Sequence, residues 1–317
     1  MHELRTRVLA EVRKVVVGQD DIVDALLIAL AARGHVLLEG PPGTAKTLLA
    51  NAFARALGLD FRRAQFTPDL LPTDLTGTMT LVGGALGELA FRAGPVFTNV
   101  LLADEINRTP PKTQAALLEA MGEAQVTVDG TTRALPDPFF VVATMNPIEY
   151  EGTYPLPEAQ LDRFTLKVNV SAPPRDVEVA MLGLRHEGVR PATLDDVVPV
   201  TDGDGSALAL LRSLRADVDA TIANEAVVGY VVDVVRATRQ LPAVALGGSP
   251  RSAVQLLAAA KAHARLHARA FVTPDDVAAM APPVLRHRLV LRPEAELERY
   301  RPDDLVAAAI STVTVPR

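Results

Sequence analysis

A chain of 317 residues exceeds the usual size of one domain, so a core of roughly 100 to 200 residues with a smaller second domain is expected. The formal net charge of −6 argues against a protein that coats duplex DNA, which needs a basic face, and the lack of cysteine excludes disulfides and thiolate metal sites. Apolar residues make up 49% of the chain but aromatic ones only 4%, a balance of Ala, Leu and Val that favours helices packed on an aliphatic sheet.

No apolar run approaches the about 18 residues of a membrane span. The nearest, residues 22–32, is broken by Asp24 and followed by Arg33. Met1-His-Glu-Leu-Arg5 has no apolar signal core, and a cytoplasmic protein is expected.

Leu4, Val8, Leu9 and Val12 recur at helical spacing, Gly18 interrupts, and a second helical pattern covers residues 20–32. Residues 35–39 then form a short aliphatic strand that runs into Gly40-Pro-Pro-Gly-Thr-Ala-Lys-Thr47, and strong helix formers follow over 48–57. Further strands are expected at 61–66, 100–103, 139–143 and 165–170, which gives a five-stranded parallel sheet flanked by helices. Hairpins are expected around Leu81-Val-Gly-Gly-Ala-Leu-Gly-Glu-Leu-Ala90 and at Val126-Thr-Val-Asp-Gly-Thr-Thr132, where Asp129-Gly130 supplies turn chemistry. At Ser171-Ala-Pro-Pro174 the composition changes, and the rest reads as helices at about 175–186, 207–216, 224–239, 250–268 and 273–281. We therefore expect an α/β core over residues 1–172 and an all-α domain over 173–317.

The strand, glycine-rich turn and helix around Gly40, Pro41, Pro42, Gly43, Thr44, Ala45, Lys46, Thr47 and Leu48 match a phosphate-binding loop, with Ala45 where glycine commonly precedes the lysine. Backbone N–H groups and the following helix N-terminus make an anion cradle, Lys46 reaches the terminal phosphates of ATP, and the Thr47 hydroxyl suits Mg2+. If residue 45 has helical dihedrals, alanine costs little there; otherwise phosphate geometry suffers. Val100-Leu-Leu-Ala-Asp-Glu-Ile106 is an aliphatic strand ending in two carboxylates at its ligand-binding end. There Asp104 holds Mg2+, directly or through water, and Glu105 polarises the attacking water.

Asn146 ends another buried strand and suits either a hydrogen bond to the γ-phosphate or attacking water, or a plain turn before Pro147. Arg163, in Leu161-Asp-Arg-Phe164, suits either charge stabilisation on a neighbouring subunit's nucleotide or a surface pair with Asp162. Ser249-Pro-Arg-Ser252 opens a helix with Ser249 as N-cap. Arg251 in its first turn is misplaced against the helix dipole, which hints at a phosphate partner.

Val17-Gly-Gln19, the loop at Gly40, Leu101 to Glu105, Asn146, Leu161-Asp-Arg-Phe164 and Ser249-Pro-Arg251 occur in the order of an AAA+ ATPase, and the chain resembles the MoxR family. The likeness extends to Phe66-Thr-Pro-Asp-Leu-Leu-Pro-Thr-Asp-Leu-Thr-Gly77, Phe91-Arg-Ala-Gly-Pro-Val96, Asn107-Arg-Thr-Pro-Pro-Lys112 and Met145-Asn-Pro147. The Ala-Lys-Thr at Ala45 is similar to that family's loop. The resemblance implies a homo-oligomeric, hexameric or similar, ring with ATP between subunits, and a helical lid from about Arg175. It further implies Asn146 as sensor 1, Arg163 as arginine finger, Arg251 as sensor 2, Gly18 and Gln19 near the adenine, and both hairpins facing clients. Chaperone-like work on proteins is implied, often with von Willebrand factor A-domain partners and sometimes in metal-cofactor insertion. A nucleic-acid motor and an ATP-sensing scaffold are the competing readings; the acidic charge disfavours the first and the filled catalytic positions the second.

Overall fold

A computed structural model describes residues 1–82, 87–146, 152–186, 192–201 and 207–316. Helices α1 (His2–Val12) and α2 (Asp20–Ala31) precede strand β1 (Val36–Glu39), and α3 (Lys46–Ala56) leads to β2 (Phe61–Gln65). Next come α4 (Pro72–Thr76), the hairpin β3 (Gly77–Val82) and β4 (Glu88–Ala93), and β5 (Val100–Asp104). A 3₁₀ turn over Ile106–Arg108, α5 (Pro111–Glu123), the hairpin β6 (Gln125–Val128) and β7 (Thr131–Ala134), β8 (Phe140–Met145), α6 (Glu158–Leu161) and β9 (Leu166–Asn169) complete the first part. Both expected hairpins form. Asp129 and Gly130 both have positive φ, as a two-residue primed turn requires, whereas Gly83 and Gly84 of the first hairpin lie outside the described residues.

Strands β2, β5, β8, β1 and β9 lie in that order in one parallel sheet. All five expected strands are present, with ends shifted by a residue or two. Their aliphatic runs follow from burial on both faces. Alternation divides them: Val36, Leu38, Val100, Leu102 and Val142 face one apolar cluster with α1, α2 and α3, while Leu37, Leu101, Ala103, Val141 and Ala143 face another that holds Leu117 and Leu118 of α5.

Downstream lie α7 (Arg175–His186), α8 (Ala207–Asp219), α9 (Glu225–Thr238), β10 (Val244–Leu246), α10 (Pro250–Leu266), α11 (Pro274–Leu285), β11 (Val290–Leu291), α12 (Pro293–Leu297) and α13 (Pro302–Thr312). This region is helical as expected, with the addition of the antiparallel ribbon β10–β11 and of α12 and α13. Its Leu211, Val231, Leu256, Val277 and Val306 belong to the same apolar cluster as α1 to α3, so the helical region rests on one face of the sheet through a continuous core. Among the described residues no helix is long and apolar enough to cross a membrane.

His35, buried at the entry to β1, accepts the Val141 N–H at Nδ1 (3.0 Å), so its proton sits on Nε2, which donates to the Met121 carbonyl at 3.3 Å. Burial pushes this imidazole down from 6.5 to about 4. Burial also pushes buried His287 well below the ordinary value, with the adjacent positive charge of Arg288 acting in the same direction. An unfolded chain takes up these protons below pH 6.5, and the fold does not. Stability is therefore full above pH 6.5 and falls between 6.5 and 4, with His35 alone contributing about 3 kcal/mol of the loss. Urea melts across that window should show a falling midpoint; a flat midpoint would contradict the buried neutral imidazoles.

Candidate active site

In a parallel α/β sheet ligands bind beyond the carboxyl ends of the strands. Here β5, β8 and β1 are neighbours, so the segments after them converge: the loop after β1, Asp104 and Glu105 after β5, and Asn146 after β8. They enclose a cleft of about 420 Å³ lined by Pro42, Gly43, Thr44, Ala45, Lys46, Thr47, Leu48, Asp104, Glu105, Thr144, Met145 and Asn146. The loop's two glycines are needed for different reasons. A Cβ on Gly40 would stand 2.2 Å from the Val170 carbonyl oxygen, and Gly43 has φ +81°. Ala45 is left-handed too (φ 58°, ψ 20°). The ordinary helical dihedrals that would make alanine inexpensive are absent, and the loop carries strain of about 1 kcal/mol at this residue.

Lys46 opens α3, and its ammonium donates to the carbonyls of Gly40 and Pro41, each at 2.7 Å. Burial pushes its pKa below the ordinary value, against the opposing pull of Asp104 and Glu105. The Thr47 hydroxyl lies 3.3 Å from Asp104 Oδ2. A hydroxyl and a carboxylate side by side are hard oxygen donors of the kind Mg2+ takes beside phosphate, so this pair fits that ion.

The Thr144 hydroxyl ties the second strand end together, accepting the Glu105 N–H at 2.8 Å and donating to Asp104 Oδ1 at 2.5 Å. This holds Glu105 in a left-handed conformation (φ 58°, ψ 49°) at the strand end. From β2, Arg63 Nε donates to Asp104 Oδ2 at 2.9 Å and Gln65 Nε2 to Glu105 Oε2 at 2.8 Å, while Arg108 Nη1 stands 3.4 Å from that same oxygen. Sequence reasoning missed Thr144, Arg63 and Gln65. A threonine within Phe140-Val-Val-Ala-Thr144 and two polar residues at alternate positions of a short strand were the available signals.

Asn146 is buried on the cleft wall, while Pro147 lies outside the described residues. Gln19 Nε2 donates to the Thr44 carbonyl at 2.7 Å and Gly18 packs beneath Val177 of α7, which places both between the phosphate-type loop and α7. Arg163 and Arg251 do not line the cleft. The Arg163 guanidinium covers Gly122 of α5, where an added Cβ would stand 1.9 Å from Nη1. Arg251, half exposed in the first turn of α10, meets Asp162 Oδ2 at 3.8 Å, and that carboxylate answers the misfit with the helix dipole.

A parallel sheet in which a lysine-bearing loop after β1 faces an Asp-Glu pair at the end of the adjacent-but-one strand defines a P-loop ATPase of the AAA type. The model for the ATPase family associated with various cellular activities matches residues 35–166, and that for the AAA lid domain matches 236–309. Chaperone MoxR1 of Mycobacterium tuberculosis is 43% identical over 98% of this chain and 82% of its own length, and Protein MoxR of Methylorubrum extorquens is 34% identical over 96% and 93%. A crystal structure from Cytophaga hutchinsonii, described as that of a candidate ATPase, superposes with a TM-score of 0.89 at 39% identity, covering 99% of this chain and 96% of that one. The chain belongs to the MoxR family of AAA+ ATPases.

Proposed function

We propose that this protein is a Mg2+-dependent ATP phosphohydrolase that works in a ring, hexameric or similar, to remodel or activate partner proteins. The observation that carries this reading is the meeting of Lys46, Thr47, Asp104, Glu105 and Asn146 in one cleft. The loop and Lys46 bind the triphosphate, and Gly18 and Gln19 flank the adenine. Thr47 and Asp104 would hold Mg2+, which when bound neutralises phosphate charge. Glu105 orients and polarises the attacking water, and Asn146 hydrogen-bonds that water or the γ-phosphate.

Arg163 does not line its own cleft, which supports its service to a neighbour's nucleotide; Arg251 at the lid senses the nucleotide state. The division between core and lid is proposed near residue 172, a reading supported by the end of β9 at Asn169 and the start of α7 at Arg175. A cytoplasmic setting is part of the same proposal. Chaperone MoxR1 supports a client that is protein, as do the exposed Leu81, Val82 and Leu89 on the first hairpin. A von Willebrand factor A-domain protein, and a role in metal-cofactor insertion, remain part of this proposal through the family alone.

The test is subunit mixing. Arg163→Ala and Glu105→Gln should each be nearly inactive, and a mixture should regain turnover, because an intact cleft can then meet an intact arginine. A mixture as inactive as its parents would count against catalysis across an interface.

A further inference from the structure

The segment that carries Arg163 is gripped by the lid. Arg288, three residues beyond α11 and almost fully buried, donates from Nε to Asp162 Oδ1 at 2.7 Å and from Nη2 to the Phe164 carbonyl at 2.6 Å. His287 Nε2 donates to that same Phe164 carbonyl at 2.9 Å, and Arg288 Nη1 reaches the Thr165 carbonyl at 3.4 Å. Arg288 also bonds Gln255 on α10, the helix that begins beside Arg251. Both residues flanking Arg163 are thus tied to the lid, while Arg163 itself lies over Gly122 of the core. The second oxygen of Asp162 faces Arg251. One carboxylate therefore links two lid arginines to the residue next to Arg163.

We propose that Arg288 is a positioning residue: through Asp162 and the Phe164 carbonyl it makes the lid, including Arg251, set how Arg163 is presented to a neighbouring subunit. A guanidinium suits this task because its planar fork can hold a carboxylate and main-chain oxygens at once. The proposal rests on the reading of Arg163 as acting in trans. A lid that moves with its own nucleotide would move Arg163 with it, coupling each site to the next around the ring.

The test uses Arg288→Gln in the full chain, with Asp162→Asn as a second variant should the first fail to fold. Turnover should fall about tenfold or more with the ATP Kd within about threefold, since neither side chain lines the cleft. Mixing with Glu105→Gln should restore turnover, which a merely unstable subunit would not do, and mixing with Arg163→Ala should not, because both partners then lack a well-placed arginine. Parental turnover in both folded variants would overturn the proposal, as would recovery on mixing with Arg163→Ala, or failure to recover with Glu105→Gln where Arg163→Ala does recover. Arg163→Ala measured alone separates the two claims: parental turnover there overturns the trans reading and this proposal with it.

Discussion

Glu105→Gln is expected to lower ATP turnover by about 10²–10⁴ while ATP remains bound. Glutamine keeps the size and the hydrogen bond to Gln65 but cannot accept a proton or polarise water as a carboxylate does. The residue is placed by its neighbours: its N–H is fixed by Thr144, and its carboxylate stands at the mouth of the cleft between Gln65 and Arg108. Nucleotide affinity is supplied elsewhere, by the loop and Lys46, and should change little. Single-turnover phosphate release alongside calorimetry separates the two effects. Equal phosphate release by variant and parent would remove Glu105 from the chemistry. The same variant, held in ATP, is the bait of choice for capturing the protein partner.

Lys46→Ala is expected to weaken ATP binding by about 10- to 150-fold, the worth of one charge-assisted hydrogen bond of about 1.5–3 kcal/mol. In this structure the ammonium is spent on the Gly40 and Pro41 carbonyls, a contact within its own loop. Burial already pushes it toward the neutral form, so a triphosphate offers it a better partner than two neutral oxygens. Alanine removes the cation and leaves the loop amides without it. Calorimetry that returned the parental Kd would show that Lys46 does not reach the phosphates.

Much of the fold and the centre of the site were legible because their signals are local. Buried strands announce themselves as aliphatic runs, and the phosphate loop is eight contiguous residues between a strand and a helix. What was illegible depends on pairings between distant segments. Arg63 and Gln65 touch Asp104 and Glu105 only because β2 lies beside β5, and Thr144 joins them only because β8 lies on the other side. The Arg288–Asp162 contact spans 126 positions and has no sequence signature at all. Helix α12, five residues long, and the ribbon β10–β11 are too short to show periodicity, whereas α13 carries a legible start in Pro302, Asp303 and Asp304 that went unread.

The alanine at position 45 shows a different limit. Residue identity gave the loop but not its dihedrals, and the left-handed backbone became apparent only in three dimensions.

The most direct test is a crystal structure of the protein with Mg2+ and a non-hydrolysable ATP analogue. The account predicts the triphosphate wrapped by the loop after β1, Lys46 released from Gly40 and Pro41 to the β- and γ-phosphates, and the ion beside Thr47 and Asp104. A cleft left without nucleotide at saturating analogue, or nucleotide bound with Lys46 still on its own loop carbonyls, would contradict it.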